Sequence, residues 1–317
     1  MTAVQKQEKT ASAAKKRSRL WKSICSNWQV YLMVLPALVI LIWFRYVPIY
    51  GIQIAFRDFT LKGGITGSTW VGMKHFEALF ATPQFLQVLR NTILINFYRL
   101  LFGWPLPIIL AILINECRSL GYKRFSQTVS YLPHFLSWVI ISAIFNNLLA
   151  LDTGIVNMII KALGFEQIIF LSEPKLFRSI LVITDIWKNV GWSSIVYLSA
   201  MTAIDTNLYE AAAIDGASKL RRIWHITLPG IKGTMVFILI QRVGYALSND
   251  VEQVLMFYNP MVYETGDVLG TYLYRMGIGQ MKYSFTTAAG LFTSVIGIIL
   301  LLSANAVAHR LGERGLW

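Results

Sequence analysis

Charge is what this sequence has least of. Only 14% of its 317 residues are Asp, Glu, Lys or Arg and 55% are hydrophobic, whereas a soluble domain carries about 25% charged residues. The bilayer is the solvent that such a chain satisfies. Cysteine is nearly absent, with only Cys25 and Cys117. Both fall near the cytoplasmic ends of expected spans, where thiols stay reduced, and two cysteines without a histidine cluster make neither a disulfide framework nor a metal site. The dipeptide Gly-Lys does not occur at all, which excludes the phosphate-cradling loop G-x-x-x-x-G-K-[ST]. No cofactor and no catalytic residue is expected.

What the sequence does have is apolar stretches near the ~20 residues that cross a hydrocarbon core. Six are legible, from Gln29 to Trp43, Asn91 to Ile114, Phe125 to Leu149, Phe177 to Ala203, Thr234 to Ser248 and Phe285 to Val307. They predict an all-α, polytopic membrane protein with six transmembrane helices over 29–317, after a basic tail over 1–28. Seven of the basic residues lie in that tail, and with the second loop, the fourth loop and the C-terminal end the inner count is sixteen Lys and Arg against ten outside. Basic residues favour the cytoplasmic side, so both termini are expected there. The net charge of +13 then gathers on one face, where anionic membrane lipids explain it without nucleic acid. A basic tail before an apolar run can also open a signal peptide. No small-residue cleavage site follows, and Arg45, Tyr46 and Pro48 end the run, so an uncleaved first span is expected.

One polar segment interrupts the pattern, "EAAAIDGASKLRRIWHITLP" over 210–229. Asn207 stands three residues before Glu210, a capping-box spacing, and Gly216 sits where a left-handed residue would end the helix. A second helix begins near Ala217 or Ser218, carries Leu220, Ile223 and Trp224 on one face with Lys219, Arg222 and His225 on another, and stops at Pro229 and Gly230. By its physics alone this is a capped helical hairpin across the inner ends of two spans. It could equally rest on lipid headgroups.

Its residues resemble a known pattern. Glu210, Ala211, Ala212, Gly216, Ile226, Leu228 and Pro229 match, position for position, the EAA loop of permease subunits in binding-protein-dependent ABC importers. Further stretches, "YVPIYGIQIAFRDF", "SYLPHFLSWVI", "DIWKNVGWSSIVYL", "YNPMVYETGDVLGTYLYRMG" and the terminal "GLW", are similar to the polysaccharide or LplB-type branch of that family, which includes permeases of alginate importers. The resemblance implies the type I importer permease fold, with a cytoplasmic EAA coupling loop over 203–233 in which Glu210, Ala211, Ala212, Asp215, Gly216, Ile226, Leu228 and Pro229 meet the ATPase. It implies a bacterial plasma (inner) membrane location. The implied partners are a cytoplasmic ABC ATPase dimer, a second permease subunit, an extracytoplasmic solute-binding protein and an oligosaccharide. From Asn259 to Gly277 the sequence departs from the maltose type, which sets maltose itself aside.

Charges inside spans are costly and usually face a cavity or a partner. In the fourth span Asp185, Lys188, Asn189, Trp192 and Ser193 recur at helical spacing on one face, with Trp187 nearby. Hydrogen-bonding groups beside flat rings suit a sugar. The same residues could instead pair to fix packing. Asn96 and Arg99 in the second span, ahead of Gly103, Pro105 and Pro107, and Gln241, Arg242 and Tyr245 in the fifth, extend the candidate path. Gly290, Ser294 and Gly297 read as helix packing, and His134 as a packing or hydrogen-bonding residue. Arg99, Lys188 and Arg242 outnumber Asp185, which favours an anionic solute. Arginines that snorkel or bond backbone carbonyls would remove that argument, so neutral oligosaccharides remain the preferred cargo.

The alternatives are a secondary transporter or channel for a polar solute, which would have no use for an EAA loop, and a membrane glycosyltransferase. The best acidic cluster for the latter, Glu264 and Asp267, lies in a loop expected outside the membrane, so an enzyme is not expected.

Overall fold

The computed structural model describes residues 26–247, 251–313 and 315–316. The basic tail and Cys25 thus fall outside the described residues, apart from the last few positions before Trp28. The chain divides into two compact units, Met1–Val71 and Gly72–Trp317.

In the first unit, helix α1 (Trp28–Leu41) runs on through a π-helical turn (Ile42–Tyr46) and a 3-10 segment (Val47–Phe56). The helical run is therefore 29 residues, twice the expected first stretch. Pro48 does not end it, because it stands in the opening turn of the 3-10 segment, where a missing N–H and a fixed φ are tolerated. A small hairpin follows, with β1 (Arg57–Thr60) antiparallel to β2 (Ser68–Trp70) and Arg57 opposite Trp70. It is a departure from a wholly helical chain. The Arg57 guanidinium stacks over the Trp70 ring at 5.5 Å and donates to the Ser68 carbonyl at 2.9 Å.

The second unit is helical among its described residues. After α2 (Lys74–Ala81), α3 (Pro83–Gly103) passes into α4 (Pro105–Asn115), and together they make a 33-residue apolar run. Helix α5 (Leu120–Tyr131) and α6 (Trp138–Leu148), expected within one span over Phe125 to Leu149, meet at 103°. Pro133 lies in the 3-10 turn between them and Ser137 restarts the helix by accepting from the Ile140 N–H, so the chain has both a stop and a start signal inside the apolar stretch. After α7 (Ile155–Ala162), the long α8 (Pro174–Thr202) opens with Pro174 at its first position, as suits that site. Then come α9 (Thr206–Ile214), α10 (Lys219–Arg222) and α11 (Lys232–Gly244), the last bent by 60° from the segment that precedes it. Short helices α12 (Val251–Phe257) and α13 (Leu269–Tyr274) lead to α14 (Tyr283–Arg310).

Among the described residues three helices, Trp28–Phe56, Pro83–Asn115 and Tyr283–Arg310, are long and apolar enough to cross a membrane, and five spans result if each bent pair counts as one. Helix α8 has 29 residues, ample for a crossing by length, but Lys175, Arg178, Asp185 and Lys188 leave it less apolar than that set.

Helix α8 is the axis of the second unit. One of its ends buries Phe177 and Leu181 with Ile95, Trp138, Ile141, Val254 and Val268. The other packs Tyr197, Leu198 and Met201 against Ile108, Ala111 and Ile231. Between them α5 crosses at Gly191, where an added Cβ would lie 2.0 Å from the Ser130 carbonyl oxygen. Only glycine lets the two backbones approach so closely. Of the small residues on α14, Gly297 faces the Gly244 carbonyl oxygen closely, whereas Gly290 has nothing within 4 Å of an added Cβ, so the packing expectation holds for one and not the other.

Candidate functional site

Where α8 ends, the polar segment forms the expected hairpin with one changed cap. Asp205, not Asn207, is the cap of α9, its side chain accepting from the Asn207 N–H at 2.9 Å. Asp caps as well as Asn, and here it stands in extended geometry one residue before the helix begins. Helix α9 stops as the sequence indicates. Gly216 adopts φ +73°, its N–H donates to the Ala213 carbonyl at 3.1 Å, and the Ala217 N–H donates to the Ala212 carbonyl at 2.9 Å, the paired bonds of a Schellman stop. Ser218 caps α10 through the Arg221 N–H. The second arm continues past Arg222 through a π-helical turn (Ile223–Thr227) and carries Pro229 in a final helical turn (Leu228–Gly230).

The hairpin is rigid and open. Tyr209 and Thr227 join its arms through their hydroxyls at 2.9 Å, while Glu210, Ala211, Asp215, Gly216 and Pro229 are exposed. Ala212, Ile226 and Leu228 are half-buried. Ile214 is 87% exposed and Trp224 66%, large apolar surfaces with nothing on them.

The second group of expected residues separates into two sets. Asn96, Arg99, Asp185, Asn189, Ser193, Arg242 and Tyr245 line one cavity of about 730 Å³ between α3, α8, α11 and α14. Gln241 lines a neighbouring cleft between α11 and α14. Lys188 and Trp192 turn instead to the break between α5 and α6. The Lys188 ammonium donates to the carbonyls of His134 and Leu136 and sits over the Trp138 ring at 5.2 Å, and Trp192 stacks on His134. Trp187 lines a different groove and meets Phe145 edge to face.

The cavity's polar groups are held from behind. Asp185 accepts from Asn189 Nδ2 at 2.9 Å, and Asn189 Oδ1 meets His134 Nδ1 at 3.1 Å, so His134 has the hydrogen-bonding role expected of it. Arg99, 8% exposed, donates to Gln253 Oε1. Gln253 is wholly buried and donates in turn to the Leu181 carbonyl at 2.7 Å and to Thr184 Oγ1 at 2.8 Å. Neither Gln253 nor Thr184 was legible as a site residue. A lone Gln amid "VEQVLMF" was the available signal.

Near the Pro174 end of α8 a further network holds the segment 263–275. Asn91 Nδ2 donates to the carbonyls of Glu264 and Asp267 at 2.9 and 3.1 Å, and Arg178 donates to Asn91 Oδ1 at 2.8 Å and to the Thr265 carbonyl at 3.1 Å. Asp267 pairs with Arg275 at 2.5 Å. Burial opposes the Arg275 charge, but the hydrogen bond and charge of Asp267, with help from Tyr258, outweigh it and hold the guanidinium above its ordinary pKa.

The chain thus sets an exposed hairpin between its long helices and a polar cavity among them. Residues 103–313 match the family described as binding-protein-dependent transport system inner membrane component, and the chain belongs to that family. It is a permease subunit and not an enzyme. It is similar to the polygalacturonan/rhamnogalacturonan transport system permease protein YteP of Bacillus subtilis, with 43% identity over 302 residues that cover 95% of this chain and 94% of the relative. To the protein LplB of the same organism it is 44% identical over 288 residues, 91% of each chain. It also resembles a chain in the crystal structure of a bacterial alginate ABC transporter in complex with an alginate pentasaccharide-bound periplasmic protein. There the TM-score is 0.87 at 39% identity, covering 94% of this chain and all of that one.

Proposed function

We propose that the chain forms one membrane-spanning half of an ABC importer for oligosaccharides or polysaccharides. In this reading it crosses the bacterial inner membrane six times with both termini in the cytoplasm, α8 supplying the fourth crossing, the bent α5–α6 pair the third and the bent α11 pair the fifth. The hairpin over 203–233 is the handle by which a separate cytoplasmic ATPase dimer moves α8 and α11, with Glu210, Ala211, Ala212, Asp215, Gly216, Ile226, Leu228 and Pro229 at that contact. A second permease completes the path, and a solute-binding protein delivers the sugar from outside. The observation that carries the reading is the rigid, apolar-tipped hairpin joined directly to two helices, α8 and α11, that wall the cavity. Asp185, Asn189, Asn96, Arg242 and Tyr245 meet the solute there, with Gln241 beside them and the open part of the Trp192 ring adjoining.

An acidic saccharide fits this cavity better than a neutral one. Lys188 is spent on backbone carbonyls outside the cavity. Arg99, bonded to the neutral Gln253, and Arg242, with no hydrogen-bond partner among the described residues, set two guanidinium groups on the cavity wall against the single carboxylate of Asp185. The relatives whose names specify polygalacturonan and alginate transport acidic polymers. Reconstitution of the four-part complex in liposomes tests the whole reading. Uptake of a labelled oligogalacturonide should require ATP, binding protein and an intact ATPase. Uptake driven by an ion gradient without ATP would establish a secondary transporter instead.

A further inference from the structure

A second groove, of about 740 Å³, runs along α8 nearer its Pro174 end than the polar cavity, with Tyr98 and Leu106 on its far wall. Its lining on α8 begins at Lys175 and Arg178 and continues through Ile183 to Trp187. The charges sit at one end only. We propose that this groove binds an anionic glycerophospholipid, its phosphate held by Lys175 and Arg178 and one acyl chain laid along Ile183, Tyr98 and Leu106 as far as Trp187.

Length decides between a lipid and a neighbouring helix as the occupant. From Lys175 to Trp187 is twelve residues, ~18 Å along a helix, close to the ~15 Å depth of one leaflet. A spanning helix would need a groove about twice as long. Charge points the same way. The Arg178 guanidinium is fixed in orientation by Asn91 Oδ1 and the Thr265 carbonyl, both neutral groups. Arg90 and Glu264 stand near it, with Tyr98 on the groove wall, and Glu173 accepts from the Lys175 N–H. The three cations Lys175, Arg178 and Arg90 outnumber the two carboxylates, so the end of the groove keeps a net positive charge. Basic groups at membrane level attract anionic headgroups, and the apolar remainder, with Ile183 59% exposed, suits an acyl chain. The inference depends on the chain lying in a membrane and not on which saccharide it carries.

The test uses the assembled transporter in nanodiscs with phosphatidylglycerol or phosphatidylcholine bearing a diazirine on the acyl chain, followed by mass spectrometry of the labelled peptides. Phosphatidylglycerol should label the peptides that contain Ile183 and Tyr98 several-fold more than phosphatidylcholine does. Lys175→Gln should reduce that preference about fivefold, the effect of removing one cation beside an anionic headgroup. Ile183→Trp, which fills the groove, should reduce labelling by both lipids while the complex still elutes intact and retains uptake. Equal labelling by the two lipids would overturn the proposal. So would loss of the preference in 10 mM inorganic phosphate, which would mean a free-anion site. Labelling of the isolated chain but not of the assembled complex would show that a partner subunit fills the groove, and would overturn it as well.

Discussion

The imidazole of His134 lies flat on the indole of Trp192, ring centroids 4.5 Å apart and planes within 3° of parallel. Phe135 meets the same indole edge to face at 5.7 Å. This stack, with the His134–Asn189 contact and the Lys188 bonds to backbone, pins the bent joint between α5 and α6 onto the middle of α8. A break inside an apolar span leaves carbonyls without helical partners, and a lysine ammonium on the neighbouring helix satisfies two of them.

Trp192 is 45% exposed, so His134 and Phe135 leave a large part of the ring open. Trp192→Ala should therefore have two separable effects. Loss of the stack costs about 0.5–1.5 kcal/mol, a fall of a few degrees in the Tm of a complex that still co-purifies with its ATPase. Loss of the open part of the ring should reduce uptake about tenfold. His134→Ala should reproduce the first effect and not the second. Equal uptake defects in both variants would reduce Trp192 to a packing residue.

Lys188→Met should behave differently from any change in the cavity. It leaves the partly buried carbonyls of His134 and Leu136 without their donor, at a cost below the about 1–3 kcal/mol of a fully buried group left unsatisfied. The expected result is a lower Tm with the preference between acidic and neutral cargo unaltered. A shift in cargo preference would return Lys188 to the solute path.

Gly216 tests the handle. Its φ of +73° is a conformation that proline cannot adopt and that Asn tolerates. Gly216→Asn should keep coupling near the native level. Gly216→Pro should leave the protein inserted yet abolish both uptake and the stimulation of ATPase activity by loaded binding protein. Native stimulation in the Pro variant would remove the hairpin from the coupling path.

The Asp267–Arg275 pair should act as a clamp that neutral pH does not disturb. Asp267 is 4% exposed but the Arg275 side chain is 32% exposed, so losing the carboxylate leaves a partly solvated charge and costs less than the about 3–5 kcal/mol of a fully buried pair. Because the folded-state pKa of Arg275 is raised, its contribution is complete below the ordinary arginine range and is lost only as pH climbs through the raised value. Asp267→Asn should lower the Tm by a similar amount at pH 7 and at pH 9. A destabilisation confined to one of these would mean that another titrating group governs the segment.

The hairpin was legible because its signals are local. Gly216 and the helix-start residues act within four positions of themselves, and even the shift of the cap from Asn207 to Asp205 stays within that reach. The cavity was legible only in part. Helical periodicity placed Asp185 and Asn189 on one face, but that face is wider than the cavity, and Lys188 and Trp192 at its margin were taken up by a joint that lies 52 to 58 residues earlier in sequence. Arg99 was found and its partner was not, since pairing with Gln253 across 154 residues leaves no periodic trace. The bend between α5 and α6 was concealed for a related reason. Mean apolarity reports that a stretch suits lipid, whereas Pro133 and Ser137 determine that it folds as two pieces.

Arg242 carries the prediction about cargo. An added Cβ on Gly103 would lie 3.2 Å from Arg242 Nη1, so the absence of a side chain there lets the guanidinium pass beside α3 to the cavity wall it shares with Asp185 and Asn189. Planar guanidinium groups grip carboxylates through paired hydrogen bonds. Arg242→Gln should lower uptake of a uronic-acid oligosaccharide about tenfold or more while changing uptake of a neutral oligosaccharide of equal length by less than about twofold. Arg242→Lys should fall between, since it keeps the charge and loses the paired geometry. Gly103→Ala offers an independent approach. The flexible arginine can yield by a few tenths of an ångström, so the complex should stay folded while the preference for the acidic cargo weakens. The binding protein imposes its own selection, and the comparison is therefore made in a complex whose ATPase turns over without it. If the acidic and neutral cargoes are handled alike there by the native chain, and Arg242→Gln leaves that equality untouched, the cavity does not read the charge of the sugar.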